Sequence, residues 1–106
     1  MKEKSFVVPL GSSDRDRYRL YCRTEQGRVA VFSVQYEALI GDSWRAIVRY
    51  DTAHQFPHRD LLHPDGSQDK TEYPGYSKAD VLTLGQEDIR RHWSSYRAGY
   101  ERERRQ

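Results

Sequence analysis

Arg28-Val29-Ala30-Val31-Phe32-Ser33-Val34-Gln35-Tyr36-Glu37-Ala38-Leu39-Ile40 is the stretch on which the fold turns, and Gly41-Asp42-Ser43 closes it. Ala30, Phe32, Val34, Tyr36, Ala38 and Ile40 fall on one side of an extended chain, while Ser33, Gln35 and Glu37 fall on the other. Alternation with period two over this length predicts an antiparallel strand with one buried face. The return segment, residues 44–51, sets Trp44, Ala46, Val48 and Tyr50 against Arg45, Arg49 and Asp51. With residues 41–43 as the loop, Ile40 stands opposite Trp44 and Tyr36 opposite Val48. That register puts both apolar sets on one face.

Working toward the N-terminus, residues 15–24 alternate again. Arg17, Arg19, Tyr21 and Arg23 face one side; Tyr18, Leu20 and Cys22 face the other. Gln26-Gly27 is the sequence of a two-residue hairpin turn, since Gly accepts the positive φ such turns need. A shorter strand is expected over residues 5–10, followed by a polar turn at residues 11–14.

Toward the C-terminus the pattern breaks between residues 52 and 78. Pro57, Pro64-Asp65-Gly66 and Tyr73-Pro74-Gly75-Tyr76 interrupt regular structure, the last as a type II turn. Residues 56–62 are the one place in this stretch where a short strand is expected. The end of the chain is helical: Thr83 and Gln86 have the spacing of a capping box. Ile89, Trp93, Tyr96 and Tyr100 form a stripe that should lie across Phe32, Tyr36 and Val48. Arg90, Arg91, Arg97 and Glu101 should then face water. The expected architecture is α+β: an antiparallel meander of three or four strands with one C-terminal helix packed on one face.

A chain of 106 residues fits one small domain, residues 1–106. Only 36% of its residues are hydrophobic, and the mean hydropathy is −1.01. So thin a core suggests a surface completed by a partner, a second copy being the simplest. A net charge of +2 is too mild to demand nucleic acid on its own. The cations are nonetheless mostly arginine, 14 against 4 lysines, and guanidinium forks suit phosphate or carboxylate. Cys22 stands alone, which excludes an internal disulfide and a cysteine zinc motif. Its alternation with Tyr18 and Leu20 marks it as a small buried hydrophobe. Met1-Lys2-Glu3-Lys4 is not the start of a signal peptide, and no segment approaches a membrane span of about 20 apolar residues. The expected setting is cytoplasmic, with no membrane partner.

The chemistry-bearing residues gather just after the second of the central strands. Arg49-Tyr50-Asp51-Thr52-Ala53-His54-Gln55-Phe56-Pro57-His58-Arg59-Asp60 brings two histidines, two aspartates and two arginines into twelve positions. Imidazole and carboxylate beside guanidinium are the materials of acid–base chemistry on a phosphodiester. In that use Arg49, Asp51, His54 and His58 are the catalytic candidates, with Tyr50 and Arg59 as substrate-binding candidates. Alternatively His54, His58 and a carboxylate, Asp51 or Asp60, supply a metal-ligand set. No recognised spacing such as HExxH is present, and no Gly-rich phosphate loop, so no cofactor is expected. The same groups could also serve as an ion-pair network pinning the loop to the sheet, and His63 is most simply part of the Pro64-Asp65-Gly66 turn.

The block 49–60 resembles the central segment of an uncharacterised family of small bacterial proteins. Gln35-Tyr36-Glu37 and a C-terminal helix carrying Trp93 extend that likeness over most of the chain. Residues 44–60 are also similar, more distantly, to TumE-like toxins of toxin–antitoxin pairs, where an Arg-Tyr-Asp-Asn-Ala segment precedes Phe-Pro-His-His. Thr52 replaces the Asn and Arg59 the second His. The resemblance implies a cytoplasmic bacterial protein acting on RNA or nucleotides, with an antitoxin protein as partner. Three functions therefore stand beside one another: a toxin-like ribonuclease or nucleotide-acting enzyme, a non-catalytic module that forms a homodimer or binds a protein partner, and a metal-dependent enzyme.

Overall fold

The alternation along residues 28–40 is realised as the longest strand of an antiparallel sheet. The computed structural model describes residues 1–53 and 56–106. Its elements in order are β1 (Lys2–Pro9), β2 (Asp16–Glu25), β3 (Arg28–Ile40), β4 (Ser43–Asp51), β5 (His58–Leu62), β6 (Gln68–Glu72) and α1 (Lys78–Arg104). The strands lie in sequence order, each antiparallel to the next. Helix plus meander is the α+β architecture expected, but the expected three or four strands are corrected to six.

The extra strands form a hairpin beyond Pro57. β5 falls within the segment 56–62, whereas β6 carries no apolar residue to reveal it. Gln68-Asp69-Lys70-Thr71-Glu72 is exposed throughout and is held by its backbone register, His58 opposite Glu72 and Leu62 opposite Gln68. Such a polar edge needs no buried face, and its charges discourage further strand pairing. Tyr76 N–H donates to the Tyr73 carbonyl, closing the expected turn before the helix.

Between β3 and β4 the expected register is half right. Tyr36 pairs with Val48, but Ile40 pairs with Ser43 and Leu39 with Trp44. Gly41-Asp42 is a two-residue loop, and a bulge after Tyr36 then absorbs one extra residue on β4. The bulge turns Ile47 and Val48 both into the core and leaves Trp44 on the opposite face. There the Trp44 ring lies 3.7 Å from the Arg17 guanidinium. The β2–β3 turn follows expectation: Gln26 and Gly27 have φ of 52° and 76°, the positive pair of a tight hairpin.

The helix begins at Lys78, earlier than the Thr83 cap expected from sequence. Ser77 Oγ accepts from Asp80 N–H, a serine cap contributing about 1 kcal/mol. Val81 and Leu82 are buried and extend the stripe of Ile89, Trp93, Tyr96 and Tyr100 by two turns. They pack on Phe32, Val34, Tyr36, Ile47, Val48 and Tyr50. Gly85 lets the helix approach: a Cβ there would stand 2.8 Å from the Tyr50 ring. Arg97 does not face water as expected. It hydrogen-bonds Asp16 at 2.8 Å and the Leu39 carbonyl at 2.8 Å, crossing from helix to sheet. Among the described residues no helix is long and apolar enough to cross a membrane.

Candidate functional site

Strand parity decides which members of the block 49–60 meet. In β4, Val48 and Tyr50 point under the helix, so Arg49 and Asp51 project from the uncovered face. β5 pairs His58 with Asp51 and Asp60 with Arg49, which places all four side chains side by side on that face. Tyr50 and Arg59, also opposite each other, lie on the helix face. His54 lies outside the described residues.

His58 is buried, and its Nε2 sits 3.1 Å from Asp51 Oδ1 and 3.3 Å from Asp60 Oδ2. Its Nδ1 is 3.4 Å from the Phe56 carbonyl oxygen. Arg49 Nε is 3.2 Å from Asp51 Oδ2, and its terminal nitrogen is 3.6 Å from Asp60 Oδ2. Neither contact is a well-formed hydrogen bond: Arg49 Nε has no hydrogen-bond partner among the described residues, and 3.6 Å is too long. Asp60 Oδ1 is also buried without a hydrogen-bond partner among the described residues. Asp51 Oδ1 additionally accepts the Ala53 N–H at 3.0 Å, which fixes its rotamer.

The cluster continues across the uncovered face. Arg49 donates to Gln35 Oε1, Gln35 donates to Glu37 Oε2, and Arg17 and Arg19 both donate to Glu37 Oε1. Burial pushes the Glu37 carboxyl up, but the donors from Arg17, Gln35 and Arg19 prevail and hold it below the ordinary carboxylate range. Sequence alone had not connected Gln35, Glu37, Arg17 and Arg19 to the block. Their shared parity on β2 and β3 was the available signal.

Tyr50 and Arg59 have a different setting. Tyr50 donates to Asp88 at 2.7 Å, and burial followed by that bond raises its phenol far above the usual value. Tyr96 also donates to Asp88; burial and then that bond push it up to about 12. Arg59 reaches the Tyr96 hydroxyl at 3.4 Å. Burial works against its charge, but the tyrosines Tyr96 and Tyr50 win and raise it. The sheet thus separates these two residues from the imidazole and carboxylates.

A family model described as a domain of unknown function, DUF7718, matches residues 1–106. The chain belongs to the DUF7718 family. No curated protein and no solved structure matches it. In this DUF7718 domain Asp51, His58 and Asp60 each offer one ligand atom, and those atoms lie within 4.8 Å of one another. What the domain can do is therefore argued from that cluster. It can move a proton between imidazole and carboxylate, present a guanidinium to an anion, or surround a cation.

Proposed function

We propose that this chain is a toxin-like enzyme acting on RNA or a nucleotide at the uncovered face of the sheet. The observation carrying this reading is the meeting of Arg49, Asp51 and His58 on neighbouring strands, with the Arg49 side chain still 32% exposed. Arg49 is the group for the phosphate, because a guanidinium fork neutralises developing phosphorane charge. Asp51, less deeply buried than His58 and Asp60, takes the proton from an attacking ribose 2′-hydroxyl, with His58 holding it from behind. The 2′-oxygen then bonds to phosphorus as the 5′-oxygen leaves. His54, by its place in the sequence, is the candidate donor to that leaving oxygen.

A groove of about 510 Å³ bounded by Val7, Arg19, Tyr21, Ser33 and Gln35 runs along the same face and ends beside the Gln35 partner of Arg49. Arg19 and Tyr21 give it cation and aromatic surface of the kind that holds single-stranded RNA. Incubation of the purified chain with a labelled single-stranded RNA tests the reading. Wild type should cleave it, and Arg49→Met and Asp51→Asn should lose at least a hundredfold in rate with unchanged circular dichroism. RNA left intact by wild type excludes the ribonuclease, and RNA cut equally by both variants excludes this site.

A second reading, a homodimer joined edge to edge, is favoured by one contrast. β1 is an eight-residue edge strand exposing Phe6 and Val7 at 40% and 47%, while the opposite edge is wholly polar. Sedimentation as a monomer at high micromolar concentration would remove it.

A further inference from the structure

The geometry points to a divalent transition-metal site formed by Asp51 Oδ1, His58 Nε2 and Asp60. This inference concerns the same cluster as the proposed function but does not depend on any substrate, since cation binding is measured with metal alone.

Three observations carry it. First, the imidazole stands from each carboxylate at the spacing of neighbouring ligands on one ion, and all three ligand atoms lie within 4.8 Å of one another. Metal–oxygen and metal–nitrogen bonds of about 2.1 Å put neighbouring ligand atoms about 3.0 Å apart in octahedral and about 3.4 Å apart in tetrahedral coordination. The imidazole nitrogen stands 3.1 Å and 3.3 Å from its two carboxylate oxygens. Secondly, the supporting contacts are those a metal ligand needs. Nδ1 of His58 is 3.4 Å from the Phe56 carbonyl oxygen, so a proton held there leaves unprotonated the nitrogen nearest Asp51 and Asp60, Nε2. The Ala53 N–H donates to the same Asp51 Oδ1 and holds that oxygen in place.

Thirdly, the Asp60 carboxyl group is incompletely hydrogen-bonded. The Asp60 side chain is 4% exposed, yet its Oδ1 has no hydrogen-bond partner among the described residues. A buried carboxylate oxygen left in that state is costly, and a cation between the two aspartates removes the cost. Arg49 supplies only part of the charge, from 3.2 Å and 3.6 Å.

Among the described residues, the other imidazole–carboxylate groups lack this arrangement. His63 meets Glu103 through Nδ1 and Asp69 through Nε2, on opposite edges of the ring, so the two carboxylates cannot share an ion with one nitrogen. His92 has one carboxylate partner, Asp88. Two carboxylates and one imidazole suit Mn²⁺, Fe²⁺ or Zn²⁺ rather than Ca²⁺, which takes six to eight oxygens. Bound there, the cation would sit beside Arg49 and add Lewis acidity to the anion site.

The test is a titration of tag-free, chelator-treated protein with MnCl₂, followed by electron paramagnetic resonance and by amide spectra of ¹⁵N-labelled chain. One Mn²⁺ per chain is expected, with line broadening centred on Asp51, His58 and Asp60. Asp60→Asn should weaken binding at least tenfold. Arg49→Met should tighten it severalfold by removing a competing positive charge, the opposite sign. No stoichiometric binding by wild type overturns the site, as does broadening centred on His63 and Asp69. Affinity unchanged in Asp60→Asn also overturns it. Because the wild-type titration and the position of broadening need no variant, an unstable Asp60→Asn would not shelter the inference.

Discussion

Asp16 and Asp60 are equally buried, each 3% exposed, yet the chain treats them in opposite ways. Asp16 lies on the helix face at the start of β2. It accepts the Tyr36 hydroxyl and the Arg97 guanidinium, and Arg97 in turn ties to the Leu39 carbonyl and Glu101. Burial together with the Asp16 bond raises the Tyr36 phenol, and Asp16 holds Arg97 charged against the cost of burial. Asp60 lies on the other face and shares one oxygen between His58 and a distant Arg49, leaving the second without a donor among the described residues. The first carboxylate fastens helix to sheet. The second is surplus to the fold as it stands, and a surplus buried charge is where binding chemistry is looked for first.

The same substitution at both positions separates these roles. Asp16→Asn should cost the most, about 3 kcal/mol, because it removes the buried one of the two counter-charges of Arg97 and leaves only the more exposed Glu101. Asp60→Asn should change stability by no more than about 1 kcal/mol, and in either direction, because it removes a charge that the fold poorly compensates. Urea unfolding of both variants at pH 7 measures the difference. Equal losses would mean that Asp60 is as structural as Asp16, and the distinction between the faces would fall.

Much of the helix-covered face could be read from the chain itself, because burial on one side writes itself as period two. Tyr18, Leu20 and Cys22, then Phe32, Val34 and Tyr36, are buried as alternation demands. Three features escaped that logic. β6 has no apolar side to alternate, so only its pairing with β5 reveals it. The bulge at Ile47 changes parity within β4, so Trp44 emerges on the wrong side of a strand that otherwise reads correctly. Arg97 looked solvent-bound on a helical wheel because its acceptor, Asp16, is far away in sequence.

The site was legible as a neighbourhood but not as a geometry. Arg49, Asp51 and His58 do meet, because residues two apart on paired strands share a face. Once β5 is recognised, Asp60 follows from His58 by the same parity. Tyr50 and Arg59 are separated from them for that reason too. The block contained both faces of one hairpin, and only the pairing sorts them.

His63 provides the smallest and cleanest extension of the comparison. Like His58 it lies between two carboxylates, but near solvent, joining the β5–β6 loop and β6 to the end of α1 through Asp69 and Glu103. The hydrogen bonds to Glu103 and then Asp69 raise its pKa, so the folded chain holds the proton more tightly than the unfolded chain does. Its contribution is therefore fully present below the unfolded value of about 6.5 and is lost as pH rises through the higher folded value. Solvent screening keeps it within about 0.2–1 kcal/mol. Urea unfolding at pH 5.5 and pH 8.5 should show wild type losing stability with rising pH relative to His63→Gln. Parallel pH profiles for the two proteins would show that this surface triad contributes nothing. In that case an imidazole between two acids in this fold would be no sign of stabilisation, and the dearth of hydrogen bonds at Asp60 would have to carry the functional argument for the buried cluster alone.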